Sequence, residues 1–323
     1  NPYLNNTLIY VNDELVKEGP LCELVRDKRL QYWLEDFFPK LTEYLNIRAF
    51  ELSFKGIEQD YNDLVEELKK FDVAFHYNTE IVDYVSDNDK LSSLIDQNKK
   101  SWQADIFVIN SDAAYFRGTV FNRKKFAEKR LKRMSWTMGY LTFYVGLKTK
   151  LPQVEHHNYF LGNNYEEYAK DVMKNPGTLE KPYYYVNVVS KHNPGCAPEG
   201  CEALFFVCPV PNLLHKTDWF DKQDMVNSII DDFSQRIKQD ISKDIVFQMA
   251  YTPEDWQNQF NLYKGACLGL SHSMLQIGAF RPKNWDEQFK NTFYVGASTV
   301  PGAGLPMAVI GSKLTTERIL NFK

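Results

Sequence analysis

The residues best suited to chemistry lie near the end of the chain, in NTFYVGASTVPGAGLPMAVIGSKLTTERI, residues 291–319. A buried strand runs into a glycine-rich turn, and the turn runs into a helix opened by a proline. Gly296, Gly302 and Gly304 lack β-carbons, so the backbone can approach a ligand closely and adopt dihedrals closed to other residues. Pro306 suits a first helical position, where a missing N–H costs nothing. The amides that follow, from Met307 to Val309, carry the positive end of the helix dipole and suit a phosphate or an electron-rich ring edge. A tight structural turn accounts for the same pattern, so spacing alone does not decide.

Other residues with chemical potential carry weaker patterns. His156 and His157 are adjacent and should point in different directions, with no acidic or cysteine set to complete a metal site. Ser271, His272 and Ser273 offer a nucleophile beside a base, but sequence neighbours rarely face each other and no nucleophile elbow is present. Wall-lining or packing suits His272 better. Five cysteines, Cys22, Cys196, Cys201, Cys208 and Cys267, are scattered through the chain, as in a reducing compartment. Cys196 and Cys201 flank APEG without a second pair at metal spacing, and Cys267 reads as a small core residue.

The elements that must position the turn follow from periodicity. Tyr61, Leu64, Val65 and Leu68 share a helical face, and Val73, Phe75 and Tyr77 then alternate as in a strand. EIVDYV continues extended, SDNDK turns the chain, and the run Ile106 to Ile109 reads as a strand buried on both faces. From about 134 to 215, aromatic and β-branched segments separated by Pro, Gly and Asn predict several strands of a mixed sheet. Met225, Ile229, Phe233, Ile237 and Ile241 then predict a helix over 222–242 with one apolar stripe. The closing strand and helix resemble the first block more than the second. The chain is therefore expected to leave an α/β nucleotide-type domain, build a second domain, and return.

Composition sets the remaining bounds. The chain has 323 residues, 44% hydrophobic and 25% charged, with a net charge of −4. That balance argues against a nucleic-acid partner, and the basic stretch NRKKFAEKRLKR at 122–133 reads as a solvated helix face, with membrane-surface contact the minority reading. No window of about 18 uninterrupted apolar residues spans a bilayer. Trp136, Tyr140, Phe143, Tyr144 and Tyr183 to Tyr185 read as ordinary core or as the wall of an apolar tunnel.

The stretch 291–319 resembles the C-terminal signature of bacterial-type phytoene dehydrogenases, the flavin-dependent carotenoid desaturases: N-x-aromatic-x-x-G-A-S-T leading to P-G-x-G and a hydrophobic residue. It departs at Val300, where the family carries a polar side chain. TPEDWQNQFNLYKGACLGLSHSMLQIGAFRPKN (252–284), APEGCEALFFVCPVPNL (197–213), LPQVEHHNYFLG (151–162), FHYNTEI and ADIFVINSDAAY are similar to successive family segments in order, covering about residues 56–320.

The resemblance implies an α/β fold: an FAD-binding glutathione-reductase/amine-oxidase-like domain interleaved with a mixed-sheet plus helix substrate domain. In this division residues 1–55 are a partial N-terminal segment, 56–130 part of the FAD-binding domain, 131–285 the substrate domain and 286–323 the return. It implies FAD as cofactor, a carotenoid as substrate, and hydride transfer to flavin that makes a new conjugated double bond. A cytoplasmic enzyme in peripheral contact with a membrane is expected. The resemblance places Gly296, Ala297, Pro301, Gly302, Gly304, Leu305 and Met307 along the flavin and its ribityl-phosphate region, and the backbone of Ile81 against the adenine. No side chain is carried over as a catalytic acid or base.

Family members open with strand, G-x-G-x-x-G and helix, because the pyrophosphate rests on that helix N-terminus. No such motif occurs here, and residues 1–55 do not read as one. The expectation is that the chain is part of a longer protein. The alternatives are a noncatalytic carotenoid-binding module and a flavin-fold isomerase or amine oxidase relative.

Overall fold

The computed structural model describes residues 7–11, 14–19, 65–70, 73–162 and 164–322, the first two segments as backbone only. Seven strands form the largest sheet: β1 (Thr7–Val11), β2 (Glu14–Gly19), β7 (Gly139–Leu147), β8 (His157–Leu161), β9 (Tyr184–Val188), β10 (Glu202–Val210) and β11 (Ile245–Tyr251). Their order is β11-β7-β10-β9-β8-β1-β2. Only β1 and β8 pair in parallel within it. Burial alternates strictly along β10, as period-2 side chains require.

One face of that sheet is the main core. Leu141, Phe143, Val145 and Leu147 of β7, Leu204, Phe206, Cys208 and Val210 of β10, and Tyr184, Val186 and Val188 of β9 all point into it. After a short helix, α1 (Tyr165–Asp171), the long helix α2 (Lys222–Arg236) covers this face with Val226, Ile229, Ile230 and Phe233. The Phe233 ring meets Phe206 edge-on at 5.2 Å and Phe160 at 5.3 Å, a favoured aromatic geometry.

α2 ends earlier than its apolar stripe predicts. Lys238 takes φ 57°. The amide of Gln239 bonds to Ser234 O and that of Lys238 to Gln235 O, the paired bonds of a left-handed helix stop. A lysine occupies the place where glycine would have announced the end. Ile241 nonetheless stays fully buried, since the chain doubles back under the sheet.

A second unit supplies the site. β3 (Ile81–Asp87), β4 (Lys90–Asp96) and β5 (Ser101–Gln103) form an antiparallel sheet, and β6 (Phe107–Ile109) pairs in parallel with β12 (Thr292–Tyr294). Phe107, Ile109, Phe116, Phe121, Phe289 and Tyr294 make its core. α3 (Pro253–Phe260), opened by a capping box at Thr252 and Asp255, packs on β7 and β11, and after β12 comes the 16-residue α4 (Leu305–Leu320), whose Thr315 hydroxyl donates to Tyr294 O.

Two expectations fail here. Residues 73–80 carry no strand, and Tyr77 is 64% exposed; Asn78 takes φ 53° and the extended run starts only at Ile81. The Ile106 to Ile109 run is not buried on both faces, because Val108 is 49% exposed. In the first helical segment Val65 is buried, while Tyr61 and Leu64 lie outside the described residues. The basic stretch forms two short turns, Lys124–Phe126 and Glu128–Leu131, with Phe126 and Leu131 buried, the cations of these turns outward and Arg123 turned in against Asp286 at 2.9 Å.

Candidate functional site

β6 and β12 run in parallel, so Asn110 and Gly296 both lie just beyond carboxyl ends, where open α/β sheets place their ligands. A β-carbon on Gly296 would stand 3.2 Å from Asn110 Oδ1. The turn that follows has positive φ at Gly296 (114°), Gly302 (136°) and Gly304 (116°), and the Val300–Pro301 bond is cis. Gly304 caps α4 without any side-chain acceptor. The first helical amides, among them Leu305 and Met307, have no intrahelical acceptor by position and face outward from the helix end. Among the described residues nothing lies within 4 Å of a β-carbon built on Gly304, so they leave space open at the helix N-terminus. Ala297 and Pro301 complete the turn: Ala297 by its carbonyl, which accepts from Arg281, and Pro301 against Gly311 of α4.

His272 belongs to the same turn. Its Nε2 accepts from the Ala303 amide at 3.4 Å, and a β-carbon on Gly302 would fall 2.3 Å from that nitrogen. Burial, and secondarily the Arg281 cation, lower the imidazole pKa, which suits a ring nitrogen acting as acceptor. His272 is thus a wall of the turn rather than the base of a nucleophile. Sequence spacing hinted at it only through the Ser271-His272-Ser273 string, where the relevant partner lies thirty residues downstream.

Ile81 opens β3 and lines a cavity of about 550 Å³ with Asn78, Glu80, Gln97, Ser111 and Tyr115. The Tyr115 hydroxyl donates to Glu80 Oε1 at 2.8 Å, and Gln97 Oε1 accepts from the Glu80 amide at 2.7 Å. Ser111 follows Asn110 directly, so consecutive residues at the end of β6 join this cavity to the glycine-rich turn. Next to them Asp112 caps the helical turn Ala113–Tyr115, accepting from the amides of Ala114 and Tyr115. Burial pushes its carboxyl up to about 6 against those hydrogen bonds. No motif marked Asp112, because an N-cap aspartate is common and its burial is a tertiary property.

The face of the large sheet that α2 does not cover is aromatic. Tyr140, Tyr144, Phe205, Tyr185, Tyr159 and Tyr251 alternate with the core residues and are half-buried. Tyr144 stacks on Phe205 at 4.9 Å, Tyr159 meets Tyr185 at 4.9 Å, and Tyr251 stacks on Trp256 at 5.3 Å. Burial raises the hydroxyl pKa values of Tyr140, Tyr144, Tyr159 and Tyr185. Of the aromatics weighed as tunnel or core, Phe143, Tyr184 and Trp136 are core, Tyr183 stacks on Tyr168, and Tyr140, Tyr144 and Tyr185 lie on this open face. The face is tied to the turn by residues 265–270. The Cys267 amide bonds to Met138 O, Thr137 Oγ1 accepts from Leu268, and Gly269 lies against Ser298.

The remaining candidates resolve into structure. His156 and His157 do not diverge: their rings lie 4.2 Å apart, edge to face, and His156 also meets His192 at 4.3 Å. A bulge-free strand start would separate them, but His156 precedes β8 and its Nδ1 turns back to Val188 O. Among the described residues no group of His, Cys, Asp and Glu could hold a metal. Cys196, Cys201, Cys208 and Cys267 are free thiols, and Cys22 lies outside the described residues. Cys267 is half-buried rather than core, and burial pushes its thiol up to about 12, as for an inert cysteine.

No family model matches the chain. It is 32% identical over 255 residues to a zeta-carotene-forming phytoene desaturase of Myxococcus xanthus, covering 77% of this chain and 48% of that protein. It is 33% identical to a phytoene desaturase of Fusarium fujikuroi, covering 67% and 42%, and 26% identical to a 1-hydroxycarotenoid 3,4-desaturase of a Flavobacterium species, covering 82% and 54%. The chain spans about half the length of the curated relatives it matches. A putrescine oxidase variant shares its fold at TM-score 0.51 and 10% identity, covering 84% of this chain and 54% of that one. The chain is therefore related to the carotenoid desaturases over most of its length, as its motifs indicate, and its α/β fold is of the amine-oxidase-like type. No described helix is long and apolar enough to cross a membrane.

Proposed function

We propose that this chain forms the substrate domain and the C-terminal cofactor turn of an FAD-dependent carotenoid desaturase. One observation carries the reading: the aromatic sheet face opposite α2 is joined, through residues 265–270, to a glycine-rich turn at the carboxyl ends of parallel strands. A long polyene needs an apolar wall, and the ring faces of the half-buried tyrosines and Phe205 offer one.

The residues present fit a flavin. Gly296, Ala297, Pro301, Gly302 and Gly304 leave backbone within reach of a flat ring, and the open space before Gly304 would take it without a steric cost. Leu305 and Met307 would offer amides at the positive end of α4 to an electron-rich edge or a phosphate. Ile81, at the mouth of its cavity, would hold the adenine through its backbone. When bound, FAD supplies a ring able to accept a hydride from a saturated carbon, and the protein supplies placement and a dry surface. Purified intact protein, supplied with phytoene in lipid vesicles, is expected to retain FAD and to generate longer-wavelength polyene absorbance. Protein that holds no flavin and adds no double bond to any acyclic carotenoid sinks the proposal. Flavin-free protein that still takes up the carotenoid would support the noncatalytic binding module instead.

A substrate dissolved in lipid also calls for a membrane-facing surface. Met274, Leu275 and Phe280 are 79%, 80% and 71% exposed on two short helical turns. Gln276, between them, is bonded to Ser135, two residues beyond the basic stretch 122–133, which ties this apolar lip to the chain that carries those cations. Apolar side chains flanked by cations favour an anionic bilayer. Leu275→Glu is expected to weaken flotation with mixed zwitterionic and anionic vesicles about tenfold. Unchanged flotation would move the contact elsewhere.

A further inference from the structure

Arg281 is the largest fully buried side chain, 1% exposed, and its partners are unusual for a buried cation. Nε donates to Thr299 O (3.0 Å), Nη1 to Ser271 O (3.2 Å) and Gln276 O (3.0 Å), and Nη2 to Leu270 O (3.0 Å) and Ala297 O (2.5 Å). A guanidinium has five N–H donors, and here five backbone carbonyls receive them. Among the described residues no carboxylate pairs with it. Burying a cation without a counter-ion is costly unless every donor is satisfied, so such a residue survives where its geometry is needed.

The five carbonyls belong to two separate segments. Leu270, Ser271 and Gln276 flank His272; Ala297 and Thr299 lie in the glycine-rich turn. The following residues reinforce the tie: the Val300 amide donates to Pro282 O at 3.1 Å, and Asn284 Nδ2 donates to Val300 O at 2.7 Å. We propose that Arg281 is the positioning residue of the site, fixing the His272 loop to the 297–300 turn so that His272 Nε2 holds the Gly302–Ala303 backbone in its ligand-facing shape. Its action is exerted through His272 and the turn, and it touches no reacting atom. The consequence for ligand binding rests on the flavin proposal above; the consequence for the turn does not.

The test uses the intact protein with Arg281→Lys and Arg281→Met. Lysine keeps the charge but has three donors from one nitrogen and cannot reproduce the planar fan. Hydrogen exchange at the amides of residues 297–303 is expected to rise at least about tenfold in both variants, while β7 and β10 exchange as in the wild type. The His272 ring gives a second readout by NMR: its titration midpoint, held low by burial and by the Arg281 cation, is expected to move up in Arg281→Met and less in Arg281→Lys. FAD retention should fall in both. Exchange in 297–303 that stays at the wild-type level, or that rises only together with β7 and β10, overturns the proposal. A wild-type protein that binds no FAD while the variants still loosen the turn would refute the flavin reading and leave Arg281 in its role.

Discussion

Gly302→Ala is expected to cost about 2–4 kcal/mol of stability and to abolish the retention of FAD. Two effects combine. The φ of 136° at Gly302 lies where a side chain is strained, by roughly 1–3 kcal/mol. The added carbon would also stand 2.3 Å from His272 Nε2, too close for the ring and the turn both to keep their places. Either the ring leaves and Ala303 loses its acceptor, or the turn shifts and the face of Gly304 moves with it. Gly304→Ala is the control. It has a similar φ of 116° but, among the described residues, no atom within 4 Å of the new carbon, so it should show the strain without the clash. Thermal melts and flavin absorbance of the two variants should differ, with Gly302→Ala the worse on both. Equal melting would mean that His272 does not brace the turn.

This pair shows how far the residues could be read in one dimension. The glycine spacing and Pro306 announced a strand, a turn and a helix opened by proline, and the structure has all three because φ and the missing β-carbon are local properties. The alternation along β7 and β10 likewise announced strands, with Phe143 and Phe206 on one face and Tyr144 and Phe205 on the other. Which face would be covered was not legible, since α2 lies in the sequence beyond both strands. Its early end was missed for a related reason: Lys238 adopts the left-handed conformation that normally belongs to glycine. His272 was legible as a wall or packing residue but not its partner, and Arg281 escaped altogether, because their partners are backbone atoms 5 to 31 positions away that leave no trace in a pattern of side chains. The divergence expected of His156 and His157 assumed a regular strand, whereas β8 begins only at His157.

Asp112→Asn is expected to stabilise the protein at pH 7.5 and to leave it unchanged at pH 4. The carboxyl titrates at about 6 in the folded chain, raised by burial, against an ordinary value of 3.8. The folded state therefore binds the proton more tightly than the unfolded state. Stability is highest below about pH 4, falls as pH rises from 4 to 6, and stays low above. At about 1.4 kcal/mol per unit the penalty at neutral pH reaches about 3 kcal/mol as an upper bound. Asparagine keeps an oxygen for the amides of Ala114 and Tyr115 and is as good a helix cap as aspartate, so it removes the charge without removing the cap. Denaturant titrations at the two pH values decide the matter. A variant that loses stability at pH 7.5 but not at pH 4 would show that the charge-assisted hydrogen bonds outweigh burial. A gain confined to neutral pH would mean that the chain tolerates a costly ionised group directly beside Ser111 and the Ile81 cavity. Stability sacrificed at such a place is the mark of a residue retained for the site rather than for the fold.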